Sequence, residues 1–164
     1  MRRCAPALAL ALALTAADPA RAASPAFCDR ASPLTAAQQD RLLRFAAVAR
    51  DELERSGGRV ALVARSGLNL QRFDIRYSHA GISLKASEHG PWSVRQLYYA
   101  CDEGRPRLFD QGVAGFLFGT DDPSVGYLSL LVLPEPEADA VERAALDRAR
   151  ALRLLAATYS ANAY

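Results

Sequence analysis

Leu42, Phe45, Ala46, Ala49 and Leu53 recur at three- and four-residue spacing with polar and charged residues between them, the pattern of a helix with one apolar stripe. Thr35 followed by Gln38 supplies a capping box at its start and Gly57-Gly58 ends it, so a helix is expected over residues 36–55. The run Val60-Ala61-Leu62-Val63-Ala64, bounded by Gly58 and by Ser66-Gly67, reads as a buried strand. Residues 68–75 follow no regular period. Over residues 76–84 the period is two: Ala80, Ile82 and Leu84 share one face, and Tyr77, His79, Gly81 and Ser83 the other.

The polar stretch 85–91 closes on Gly90-Pro91, which returns the chain as a strand over 92–99 and brings His79 across from Gln96 or Leu97. Residues 102–107 read as a turn, 108–119 as an apolar segment broken by glycines, and 120–123 as another turn. A further strand is expected over 127–133. Pro134 and Pro136 then introduce a second long helix, over about 137–157, with Val141, Ala145, Leu152 and Leu155 near one stripe. The pattern predicts an α+β protein, a small antiparallel sheet packed with two long helices in a single domain.

The first residues change how the rest is read. Arg2 and Arg3, an Ala/Leu run over 5–14 and Ala20-Arg21-Ala22 are the three parts of a secretory signal in order. Residues 1–22 are therefore expected to be removed, and residues 23–164 to form a periplasmic or secreted domain. The apolar run is about ten residues long, against the roughly 20 a membrane-crossing helix needs, so no transmembrane span is expected. Loss of the leader takes three of the 20 basic residues and one of the 18 acidic ones, which leaves the charges in balance. With no basic cluster to neutralise phosphates, nucleic acid is not an expected partner.

Of the three cysteines, Cys4 goes with the leader. Cys28 and Cys101 remain in a compartment where thiols pair, and a Cys28–Cys101 disulfide is the plain expectation, provided the two Cα atoms come within roughly 7 Å.

His79 is the most informative residue for chemistry. It lies on the face of its strand away from Ala80, Ile82 and Leu84, two residues before Gly81, where a missing side chain lets another element approach. A neutral imidazole held there can act as general base toward a thiol if a third group fixes its tautomer. Gln96 is the candidate orienter, with Asp74 and Asp110 behind it. A structural histidine bonded within the sheet is the plain alternative.

The segment Arg76-Tyr77-Ser78-His79-Ala80-Gly81-Ile82-Ser83-Leu84, then the strand over 92–99, the apolar segment 108–118, the strand over 127–133 and a helix leading to Ala157-Thr158-Tyr159-Ser160, resembles circularly permuted papain-like proteins of the NlpC type. The chain is also similar to a proteobacterial family of uncharacterised exported proteins. The first resemblance implies a permuted papain-like fold and a cysteine thiolate that cleaves amide or ester bonds or transfers acyl groups, with a histidine at His79. Its substrate would be peptide-like or acyl. In that arrangement the nucleophilic cysteine opens a helix downstream of the tyrosine segment, yet no cysteine follows Cys101. The expectation is accordingly that the C-terminal helix and the nucleophile lie beyond this chain. Cys28 and Cys101 are weaker nucleophile candidates. The competing expectation is a noncatalytic exported binding module that keeps the sheet and its groove.

Other candidates point to ordinary structure. His89 beside Gly90-Pro91 reads as an exposed loop histidine, and residues 120–123 as a turn rather than a calcium loop. No His/Cys pair has zinc spacing and no glycine-rich phosphate loop is present, so neither metal nor cofactor is expected. Tyr77, Trp92, Tyr98 and Tyr99 are candidates to line a substrate groove, although strand aromatics more often pack.

Overall fold

Helix α1 (Ala36–Arg55) begins where its cap directs it: the Thr35 side chain accepts from the Gln38 amide (3.3 Å) and Gln38 Oε1 accepts from the Thr35 amide (2.9 Å). Its buried residues are Leu42, Ala46, Ala49 and Leu53, the expected stripe, with Phe45 packed alongside. The computed structural model describes residues 34–68, 70, 73–100, 103–120 and 122–162. After α1 come β1 (Val60–Arg65), β2 (His79–Leu84), β3 (Ser93–Ala100), β4 (Arg105–Gln111), α2 (Val113–Leu117), β5 (Leu128–Val132), α3 (Glu135–Leu146), α4 (Arg148–Leu155) and β6 (Thr158–Ala161).

The strands form one sheet in the order β5-β1-β2-β3-β4-β6. Neighbours are antiparallel except β4 and β6, which run parallel. Strand β1 is flanked on both sides, which suits its unbroken apolar run; Val60 and Ala61 are fully buried on opposite faces. On one face Ala61, Val63, Trp92 and Val94 pack with α1 and with Phe116 and Leu117 of α2. On the other, Val60 and Leu84 pack against Ala138 and Ala145 of α3, with Ile82 and Val141 beside them.

The α+β class holds, and three expectations within it are corrected. The sheet is six-stranded and mixed rather than small and antiparallel. The second long helix is two shorter ones, because Asp147 leaves the helical region (φ −74, ψ 74), ends α3 and caps α4, its carboxylate accepting from the Arg150 amide at 2.9 Å. An Asp side chain that bonds a nearby backbone N–H competes with helix continuation in this way. The break turns Leu154 and Leu155 outward, to 66% and 54% exposure, and residues 158–161 become an edge strand instead of the helix end. Likewise the expected turn over 102–107 gives way to β4 from Arg105 onward.

Candidate functional site

The histidine cleft is built where two strands part. Among the described residues β2 pairs with β3 only from Ile82 to Leu84, whereas β3 stays in register with β4 as far as Ala100. Between the separating strands lies a cleft of about 230 Å³, with Arg65, Gly67, Leu68, Ser78 and His79 on one bank and Leu97, Tyr98 and Tyr99 on the other. Gly81 sits at the point of separation. A Cβ there would come within 2.5 Å of Val94 Cγ1 and 3.0 Å of the Arg95 carbonyl, so its missing side chain is what lets β2 lie this close to β3.

His79 and Gln96 meet across that glycine. Nε2 of His79 is hydrogen-bonded to Oε1 of Gln96, and Nε2 of Gln96 donates to Oε1 of Gln111 at 2.6 Å. The relay runs obliquely over β2, β3 and β4 on the face covered by α2. Since the Gln96 amide nitrogen is committed to Gln111, its oxygen accepts from His79 Nε2–H, which makes that ring nitrogen the donor. The centroid of the Phe116 ring of α2 lies 5.7 Å from that of the imidazole, the two planes tilted by 35°.

Arg65 completes the arrangement from the other side. It stands opposite His79 in the β1–β2 register and is 4% exposed, with its guanidinium 5.3 Å over the Phe116 ring. Its Nη1 donates to the Ser66 carbonyl (3.1 Å) and to the Gly119 carbonyl, tying β1 to the chain just after α2. A Cβ at Gly67 or Gly119 would come within 2.6 or 2.1 Å of that guanidinium, so a side chain at either position would require the arginine to shift.

Long-range 15N NMR on the imidazole should report the Nε2–H tautomer, and Gln96→Leu should convert it to a mixture of both tautomers. A dominant Nδ1–H form in the wild type would contradict the relay.

The opposite face carries a second polar cluster. Arg95 grips Asp110 through Nε–Oδ1 (2.7 Å) and Nη2–Oδ2 (2.5 Å), and its Nη1 donates to the Ala145 carbonyl of α3. Tyr159 of β6 donates to Asp110 Oδ2 at 2.8 Å and meets His89 Nε2 at 2.5 Å. His89 is therefore a half-buried partner of β6 and not the exposed loop histidine expected. Burial, and then the Asp110 carboxylate, push the Tyr159 hydroxyl above its ordinary pKa, while Asp110 first among its neighbours holds the Arg95 guanidinium above its own.

His79 and Gln96 are in contact. Asp110 is ruled out as the orienter by its place on the other face, and Asp74 lines a neighbouring groove. Tyr98 and Tyr99 line the cleft, whereas Trp92 is fully buried beneath α1. Cys28, Cys101 and the expected disulfide lie outside the described residues. Gln111, Arg65 and Phe116 were not foreseen. Arg65 carried a signal, since it continues the alternation Ala61, Val63 on an apolar strand, and a charge at such a position needs a purpose. Among the described residues no group of three or more His, Cys, Asp or Glu is placed to hold a metal ion, and no helix is long and apolar enough to cross a membrane.

Comparison with curated proteins and with solved structures returned no match. Residues 52–164, which include every residue of the cleft, match the family described as uncharacterised protein conserved in bacteria (DUF2145), and the chain belongs to that family.

Proposed function

We propose that this is an exported protein which acts as a thiol-dependent amidase, peptidase or acyl transferase of permuted papain-like arrangement. His79 is the general base and Gln96 its orienter. The observation that carries this reading is the His79–Gln96–Gln111 relay, which begins at a cleft-lining imidazole with one nitrogen bonded to a fixed amide and with the Phe116 ring beside it. The described residues contain no cysteine, so the thiol comes from a residue outside them.

Nδ1 of His79 takes the thiol proton as the sulfur attacks the substrate carbonyl carbon. The imidazolium then returns that proton to the departing amine or alcohol, leaving a thioester on the protein. Water or an acceptor nucleophile resolves the thioester.

The test uses the full-length protein expressed with its leader and recovered from the extracytoplasmic fraction, treated with a thiol-directed acyl probe. Wild type should label at one cysteine, His79→Ala should label slower by roughly 10²–10⁴-fold, and Gln96→Leu should fall between. Equal labelling of wild type and His79→Ala would remove the catalytic role and favour the competing reading of a binding module.

A further inference from the structure

Strand β5 forms one edge of the sheet, and its sequence does nothing to protect that edge. Leu128-Ser129-Leu130-Leu131-Val132 carries no charge and no proline, and its register with β1 runs from Leu128 to Val132 without a bulge. Edge strands that face solvent are usually blunted by one of these devices, because an open row of N–H and C=O groups is a template for another strand.

The hydrogen bonds at the two ends of β5 give the direction of every peptide group between them. Ser66 N–H donates to the Tyr127 carbonyl (3.1 Å), and Leu133 N–H donates to the Val60 carbonyl (3.0 Å). Main-chain bonding to β1 therefore falls on Tyr127, Ser129, Leu131 and Leu133, and the N–H and C=O groups of Leu128, Leu130 and Val132 point away from the sheet. Among the described residues no hydrogen bond reaches those outward groups. The next outward position is Pro134, which has no N–H, so the open ladder ends at Val132.

The side chains beside this edge are apolar and wet. Leu131 is 57% exposed, and Leu62, its neighbour across the ladder on β1, is 41% exposed. Both lie on the face where α3 covers only the Val60 and Leu84 end.

We infer that β5 pairs antiparallel with β5 of a second copy of this chain, about a two-fold axis at Leu130, so that one sheet runs through both copies. A two-fold contact requires a surface that complements itself. An uncharged strand does not repel its copy, and the three outward positions are symmetric about Leu130. Setting Leu130 against itself places Leu128 opposite Val132 of the partner subunit, and every outward N–H and C=O then finds a main-chain partner. On the α3 face Ser129 meets Leu131 of the partner subunit, and the exposed Leu62 and Leu131 of both copies become one apolar strip across the axis. The contact is independent of the function proposed above. A ladder this short belongs at the small end of protein interfaces, so dissociation on the order of micromolar is expected.

Sedimentation of the full chain over a range of concentrations should show a reversible monomer–dimer equilibrium. Amide hydrogen exchange read by NMR then tests the register. The amides of Leu128, Leu130 and Val132 should slow on the order of tenfold between a dilute monomer and a concentration about 100 times Kd, by mass action. Those of Ser129 and Leu131, already directed at β1, should be slow throughout. Leu131→Lys, at an exposed position, should leave the monomer folded and weaken association at least about tenfold, since an edge lysine opposes strand addition. A monomer up to about 1 mM would overturn the inference. So would a dimer in which those three amides stay fast, a dimer untouched by Leu131→Lys, or three amides already slow in the monomer because the protein's own chain covers the edge.

Discussion

Asp110→Ala is expected to destabilise the protein by about 3–5 kcal/mol in urea denaturation, the range for leaving one member of a buried ion pair without its partner. Asp110 is 2% exposed and Arg95 7%, so the guanidinium left behind has little access to water. Three hydrogen bonds disappear together, two from Arg95 and one from Tyr159, and the last of these fastens β6 to the sheet. A loss that large is a substantial share of the roughly 5–15 kcal/mol that holds a domain folded. The double variant Arg95→Met, Asp110→Leu should lose much less, because apolar side chains of similar volume can replace a buried pair at little net cost. If Asp110→Ala costs below about 1 kcal/mol, as an exposed pair would, the cluster is solvated and the account of this face is wrong.

Trp92→Ala should cost about 3–5 kcal/mol, the range for removing a large aromatic from a core. The ring is fully buried between α1 and the sheet, and its Nε1 donates to Glu54 Oε1 at 2.8 Å. Its backbone sits at φ 64, where a non-glycine residue pays roughly 1–3 kcal/mol; that strain persists because ring burial, the Trp92 N–H bond to the Leu84 carbonyl (2.9 Å) and the Ser83 Oγ bond to the Trp92 carbonyl (2.8 Å) offset it. Trp92→Phe separates the two contributions. Hydrogen bonds from Lys85 first, and then from Trp92, hold the Glu54 carboxyl below its ordinary pKa. A lowered carboxyl pKa adds stability that is present at neutral pH and fades as pH falls through the folded-state value. Trp92→Phe should therefore keep most of the core contribution at neutral pH and show a shallower acid limb than the wild type. An acid limb unchanged by Trp92→Phe would show that the indole bond does not contribute to it.

Elements whose identity depends on neighbours in the chain were legible. The helix over 36–55 carries its own cap, stripe and glycine stop, and the alternation around His79 assigns its face without reference to anything distant. The meeting of His79 with Gln96 was within reach for the same reason, since a hairpin closed by Gly90-Pro91 allows few registers. The actual contact is diagonal, across Gly81, which pairing by simple opposition does not anticipate.

What escaped the sequence reading shares one cause. Arg65 is dozens of residues from Gln111 and Phe116, and their common location comes from the strand order and from α2 folding back over the sheet. His89 and Tyr159 are 70 residues apart and meet only because β6 adds beside β4. The single second helix failed at Asp147, where a residue of modest helix propensity found a local backbone partner and the period alone could not show it.

The sequence by itself determined the α+β class, the first helix, the strand that carries His79 and the face on which it lies, because periodicity and capping are short-range and are written in consecutive residues. Tertiary structure alone decided the mixed six-stranded order, the parting of β2 from β3 that opens the cleft, and the buried Arg95–Asp110 pair. Those depend on which distant strands exclude water together, and that is a property of the assembled sheet.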